Sequence, residues 1–313
     1  MSRTWSLPSI LPALVSLTVA CTTETPPRDA AADSGIAPAT AAGSGFQFAG
    51  DFGGPLGVQL WSFREAFKGG DIAGTLARVH ALGFREVELA GTYGLSAEAF
   101  RALLDSAGLR ATSMHVGYDR LRDSLPVVLA EAKVLGVPYV GTAWIPHPEG
   151  PFTLAHARDA AADFDRWGKA ARADGLQFFY HLHGFEFEPA GDGTLPFDVL
   201  VQETDAEAVK FEMDVFWTAL PGVDPAALLG QYPGRWRLMH LKDMKQGVAL
   251  GVHTGSADPD STEVPVGTGQ IDYRAVLRAA KAAGVEKYFV EDETVDPFAT
   301  IPASTRWLEA VKY

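Results

Sequence analysis

From Leu56 onward the chain repeats one pattern: a short apolar, β-rich run, a few turn residues, then an amphipathic stretch closed by glycine. The runs are Gly57–Trp61, Glu86–Ala90, Ala111–Val116, Tyr139–Trp144, Leu176–His183, Val209–Phe216, Arg237–Asp243 and Lys287–Glu293. Short runs rich in Val, Phe and Tyr between turn residues predict strands, whereas the stretches between them carry the longer period of a helix. Asp71, Ser96, Thr153, Asp224 and Asp272 stand at N-cap positions, where a side-chain oxygen can accept an unpaired first-turn N–H. Pro225 fits a first helical position, at which its missing donor costs nothing. Gly83, Gly108, Gly136, Gly175 and Gly284 stand where helices end. Strands alternating with helices predict βαβ units around a parallel sheet. Eight such units in about 250 residues predict a closed (β/α)8 TIM barrel over residues 55–313. An open doubly wound sheet is the competing architecture, but "WSFREAF" follows the first strand where a glycine-rich nucleotide turn would stand.

The first fifty-four residues break the pattern. Arg3 is followed by an apolar run from Leu7 to Val19, too short for a comfortable membrane span. It leads into "LTVAC", which resembles a bacterial lipobox, with Thr18 in place of the commoner aliphatic residue. The expectation is a lipoprotein signal peptide over residues 1–20, lipidation of Cys21, and a periplasmic or outer-membrane location through that lipid anchor. An ordinary secretory signal is the other reading, and it also exports the protein. Residues 21–54 are mostly Ala, Thr, Pro, Ser, Asp and Gly, a composition that predicts a disordered tether.

Composition then narrows the function. Cys21 is the one cysteine, which excludes intrachain disulfides and thiolate zinc clusters. Acidic residues outnumber basic ones 39 to 26, and a net charge of -13 opposes binding to a phosphate backbone, so no nucleic-acid partner is expected.

The late positions of the strands are unusually polar. In order they hold Glu88, His115, His181 with His183, Asp214, His240 with Lys242, and Glu291. In "FFYHLHGFEF", alternation puts His181 and His183 on the face of Phe179, opposite Phe178, Tyr180 and Leu182. Barrel enzymes carry their chemistry at these ends. Buried carboxylates there need a counter-charge, and a divalent metal held by imidazoles and carboxylates supplies one. A salt bridge to Lys242 would serve the same carboxylates without a metal. Trp61, Trp144 and Trp217 follow the first, fourth and sixth strands, where aromatic faces suit the apolar faces of sugars, although core packing explains each nearly as well. Lys245–Gln270, which contains His253, is long enough to be a lid. Glu186 and Glu188 read as solvated loop charges.

Taken in order and spacing, "VQLWSFR", "VELAGTYG", "YHLHGFEFEP", "MDVFW", "MHLKDM", "VGTGQIDY" and "FVEDE" resemble the sugar phosphate isomerase/epimerase family with the xylose-isomerase-like TIM barrel, over Leu56–Tyr313. The resemblance implies one divalent metal ion, Mn2+ or Zn2+, and proton transfer on a sugar through an enediolate. It places Asp214, His240 and Glu291 at three ligand positions. Where many members carry a glutamate before an Asn-His pair, this chain has His181, Leu182 and His183. His181 is thus the expected fourth ligand and His183 a substrate-facing neighbour. Only Glu291 remains of the two opposed glutamates of the epimerases, so a one-sided reaction gains weight over symmetric proton exchange. The resulting expectation is a sugar isomerase/epimerase-type enzyme with Glu291, His183 and Lys242 as catalytic candidates. Glu88, His115, Trp61, Trp144 and Trp217 are its substrate-binding candidates. Export implies a non-phosphorylated sugar or keto-sugar as substrate. The alternatives are a keto-sugar or glycoside lyase or hydratase on the same site, a non-catalytic sugar-binding lipoprotein, and an endonuclease-IV-like enzyme, which acidity and export oppose.

Overall fold

The computed structural model describes residues 45–148, 150–251 and 258–313. The expected signal peptide, Cys21, most of the tether and His253 lie outside the described residues. Among the described residues there are ten strands: β1 (Leu56–Gln59), β2 (Glu86–Leu89), β3 (Arg110–His115), β4 (Tyr139–Thr142), β5 (Gln177–His181), β6 (Val209–Asp214), β7 (Trp236–Leu241), β8 (Asp243–Met244), β9 (Glu263–Val264) and β10 (Lys287–Val290). Eight of them close into a barrel in the order β1-β10-β7-β6-β5-β4-β3-β2, with every neighbouring pair parallel. This is the (β/α)8 TIM barrel that the alternation predicts. The remaining two, β8 and β9, form a small antiparallel ribbon at the root of the Lys245–Gln270 segment. Among the described residues no helix is long and apolar enough to cross a membrane.

All five predicted N-caps accept a backbone N–H from the following turn: Asp71 from Gly74, Ser96 from Ala99, Thr153 from His156, Asp224 from Ala226 and Ala227, and Asp272 from Ala275. The strands, by contrast, stop earlier than the apolar runs suggest. Polar side chains at their ends turn the chain. Gln59 accepts from the N–H of Trp61 and opens a 3-10 turn over Leu60–Phe63, while Asp214 accepts from Trp217 N at 2.8 Å and opens the helix Val215–Ala219. Trp61, Trp217 and His183 therefore sit just beyond their strands, at the C-terminal mouth.

The barrel interior is filled by a layer of Tyr139, Phe179, Leu238 and Phe289. Two of these rings need glycine opposite them. A Cβ on Gly57 would lie 2.7 Å from Phe289, and one on Gly141 would lie 2.7 Å from Phe179. Phe178 and Tyr180 face the other way and pack on Phe164 of the helix Leu154–Ala173, as strand alternation requires.

The packed domain begins before Leu56, which corrects the tether boundary at residue 54. Phe46 and Phe52 are buried, and Phe52 packs edge-on against Tyr288 at the start of β10. Gly45 N donates to Gly83 O, Ala49 and Gly50 N to Glu309 O, and Asp51 N to Val311 O. The small residues around the two rings conceal them in the composition. This clasp lies at the N-terminal ends of the strands, the face opposite the mouth.

Candidate functional site

The late strand residues meet in two levels. At the upper level Asp214, His240 and Glu291 each offer a ligand atom, and these atoms lie within 4.8 Å of one another. His240 Nδ1 is 3.2 Å from Glu291 Oε2 and 3.8 Å from Asp214 Oδ2. At the lower level His115 Nε2, His181 Nδ1 and His240 Nε2 surround Glu212 Oε2 at 2.9, 3.0 and 3.3 Å. Glu88 closes that level. Its Oε1 is 2.5 Å from His240 Nε2 and accepts from Gln59 Nε2 at 2.8 Å, and its Oε2 accepts from Ser113 Oγ. The aromatic layer lies beneath, with the His115 ring 5.4 Å from that of Phe179.

Burial governs the charges here. It pushes Asp214 up to about 7, with the Glu291 charge adding to the rise and Lys242 opposing it. Burial also opposes ionisation of Glu291, but the Lys242 ammonium and His240 outweigh it and hold this carboxylate well below its usual range. Glu212 settles at about 2, because His240, His115 and His181 overcome burial and the nearby Glu88 charge. Burial lowers both His181 and His183, the latter to about 4, so both rings are neutral at neutral pH.

Lys242 is the counter-charge within reach. Its Nζ lies 2.8 Å from Glu291, 2.5 Å from Glu293, 3.6 Å from Glu263 and 3.8 Å from Asp214. The salt-bridge reading of the carboxylates is thus realised in part: Arg64 adds a second cation 3.9 Å from Glu293, and burial pushes Glu263 up to about 8, so the four acids are not all charged at neutral pH. Asp214 Oδ2 is nonetheless buried without a hydrogen-bond partner. A buried orphan carboxylate oxygen, a carboxylate and an imidazole nitrogen at one point fit a divalent ion that accepts mixed nitrogen and oxygen ligands.

Above this centre opens a cavity of about 420 Å³, lined among others by Trp61, His115, Trp144, His181, His183, Trp217, Glu291 and Glu293. Trp61 and Trp144 are about half exposed, at 46% and 49%. Trp61 Nε1 donates to Glu293 Oε2, and Trp144 is stacked on His147 and edge-on to Phe185.

Several expectations change at this point. Glu88 is fully buried and outside the cavity wall, so it holds His240 from below instead of contacting substrate. Lys242 is also outside the wall and grips Glu291 and Glu293 from behind. His181 turns Nδ1 to the lower group, and among the described residues Asp214, His240 and Glu291 converge at the upper one. Glu186 is fully buried, not solvated: it accepts from Tyr180 OH and from His183 N, because the turn at Gly184 folds it back under the strand end. The Lys245–Gln270 segment contributes Glu263 to the Lys242 cluster. Glu212, Glu263 and Glu293 escaped the sequence reading. Glu212 had a usable signal, since it stands two residues before Asp214 and therefore on the same strand face.

Comparison with known proteins agrees with this architecture. The family model described as xylose isomerase-like TIM barrel matches residues 76–311. An inosose dehydratase of Lacticaseibacillus casei is 28% identical over 162 residues, 49% of this chain and 52% of that protein. The chain thus spans about half the length of the curated relatives it matches. A sugar phosphate isomerase/epimerase from Parabacteroides distasonis superposes with a TM-score of 0.67 at 22% identity, covering 87% of this chain and 96% of the other. The IolI protein, crystallised with a bound zinc atom, superposes with a TM-score of 0.59 at 14% identity, covering 81% and 94%. At these identities the two structures establish a shared fold.

Proposed function

Since the chain belongs to the xylose isomerase-like TIM barrel family, we propose that it is a metal-dependent enzyme that removes a proton beside the carbonyl of a non-phosphorylated sugar or keto-sugar and expels water from the neighbouring carbon. The observation that carries this reading is the convergence of Asp214, His240 Nδ1 and Glu291, of which Glu291 lines the mouth cavity, with Asp214 Oδ2 lacking a hydrogen-bond partner. These residues would hold one divalent ion, Mn2+ or Zn2+, which when bound supplies polarisation of the carbonyl and its neighbouring hydroxyl.

The side chains define the remaining roles. Glu291 is ionised and lines the cavity, so it can accept the carbon-bound proton, while Lys242 behind it fixes its orientation. His183 is neutral and lines the same cavity, so it can relay to the departing hydroxyl the proton that Glu291 has taken from carbon, which completes the water. The two candidate proton carriers differ in kind, a carboxylate and an imidazole. That asymmetry favours elimination over the symmetric exchange of an epimerase, and the dehydratase name of the L. casei relative points the same way.

The wall supports a neutral substrate. Among the described residues that line the cavity none is Lys or Arg, whereas Glu291 and Glu293 both face it. A phosphate at the wall would meet the Glu291 and Glu293 charges with no basic side chain among the lining residues to hold it. Trp61 and Trp144 instead offer half-exposed ring faces to a sugar. Export, with lipidation at Cys21, belongs to the same proposal, because phosphorylated sugars are scarce outside the cytoplasm. Mass analysis of the N-terminal peptide from membranes, beside a Cys21→Ser variant, tests that part.

The reaction is tested by incubating metal-loaded protein in heavy water with an inosose and a panel of keto-sugars. Loss of water, with deuterium appearing beside the carbonyl, is the expected result. A loaded protein that neither exchanges that proton nor dehydrates any member of the panel would refute the reading.

A further inference from the structure

A second cavity, of about 390 Å³, opens beside the mouth, between residues 62–66 after β1 and residues 293–298 after β10. The two cavities meet at Glu293, which lines both. Trp61 stands at that junction: it lines the mouth and donates its Nε1–H to Glu293 Oε2 at 3.1 Å. Arg64 braces the junction from the side of the second cavity. It donates to Trp61 O and to Glu293 O, each at 3.2 Å, and its guanidinium lies 5.2 Å from the centre of the Trp61 ring.

The wall of the second cavity offers both donors and acceptors. Arg78, from the helix Ile72–Ala81, lies over the Phe298 ring at 3.5 Å, which restrains its guanidinium without using the N–H donors. Among the described residues the Arg78 side chain has no hydrogen bond or ion pair. Nor has the Asp296 carboxylate, which makes no capping bond although Asp296 is the N-cap of the helix Pro297–Ala310. A restrained donor fork and an available acceptor in one cavity suit a ligand that donates and accepts, as neighbouring hydroxyls do. Charges of both signs are interleaved around them, Glu65 with Lys68 and Glu293 with Arg64, so no single-sign field selects an anion.

We propose that this cavity is a second sugar subsite, and that the substrate is a glycoside of at least two sugar units. One unit lies in the mouth beside Glu291. The next lies beyond Trp61, hydrogen-bonded by Arg78 and Asp296. The Trp61 ring, fixed by Glu293 and Arg64, is the platform along which the saccharide passes from one cavity to the other. A single sugar unit in the mouth would touch neither Arg78 nor Asp296, which line the second cavity and not the first. The inference rests on the carbohydrate reading above and deepens it by naming the substrate class.

The test is calorimetric titration of the full-length protein, as purified, with glucose, methyl glucoside and the disaccharides cellobiose, maltose and lactose. At least one disaccharide should bind about tenfold or more tightly than glucose, the worth of one hydrogen bond to a charged group. Arg78→Ala and Asp296→Ala should each lose about tenfold in affinity for that disaccharide and keep their affinity for glucose within about twofold. Both side chains are at the surface, and circular dichroism checks that the variants are folded. Disaccharides that all bind no more tightly than glucose, or an advantage that survives both substitutions, overturn the proposal. So does inorganic phosphate that displaces the disaccharide from wild type but not from Arg78→Ala, since the second cavity would then be an anion site. The result is separable from that of the catalytic test. A disaccharide preference in a protein that neither exchanges a proton on nor dehydrates any sugar keeps the subsite and refutes the reaction, whereas dehydration of single sugars without that preference does the reverse.

Discussion

Lowering the pH should stabilise this fold through one buried side chain, Glu186. Burial raises its carboxyl from 4.5 to about 7, even though Tyr180 OH and the N–H groups of His183 and Gly184 favour the ionised form. The folded protein therefore holds a proton that the unfolded chain releases between pH 4.5 and about 7. The sign follows from that difference: the contribution is complete below pH 4.5 and is lost as the pH rises through about 7. At about 1.4 kcal/mol per pH unit, the rise corresponds to about 3 kcal/mol. Other groups titrate in the same window, so the informative quantity is the difference from Glu186→Gln, whose amide has nothing to ionise. Urea unfolding of both proteins from about pH 4.5 to about pH 8 should show wild type losing about 3 kcal/mol relative to the variant. A difference that stays flat across this range would refute the reasoning, since it would mean that the donors around Glu186 keep it ionised in the folded state.

Three further outcomes follow from the geometry. Gly141→Val should cost about 1–3 kcal/mol or more in chemical denaturation, because its side chain would be driven into the ring of Phe179 in a filled barrel. Trp144→Ala should raise KM by about tenfold with kcat nearly unchanged in steady-state assays, because an exposed ring face at the rim binds ground state and transition state alike. Removing bound metal with a chelator should lower Tm by several degrees in scanning calorimetry, since a ligand at about 100 times its Kd adds about 2.7 kcal/mol to the folded state. An unchanged Tm after metal removal would detach the ion from the fold.

The sequence revealed most where one residue type has one local use. Caps such as Asp71 and Ser96 were legible because the hydrogen bond they make lies within their own turn. Strand order and closure followed from the repeat. Strand ends were harder to place, because Gln59 and Asp214 look like late strand residues and act as the groups that stop the strand. The upper centre was legible as three positions, Asp214, His240 and Glu291. The lower one was hidden, since whether Glu88 faces a cavity or a histidine depends on neighbours about 150 residues away in sequence. Glu186 misled for a similar reason: in sequence it is an acid in a loop, and only the left-handed turn at Gly184 brings it beneath Tyr180. Phe46 and Phe52 were missed because a ten-residue segment with three rings among glycines and polar residues resembles its surroundings until the barrel supplies a surface for them.

That clasp has a practical consequence. The chain enters the domain beside Gly83 and leaves it beside Asp51, where Tyr313 N donates to the Asp51 carboxylate. Both entry and exit are thus on the side away from Trp61 and Trp144. Affinity tags, fusion partners or surface linkages joined directly at Gly45 or at Tyr313 start from the face away from the mouth, so an immobilised form of the barrel is suited to screening ligands.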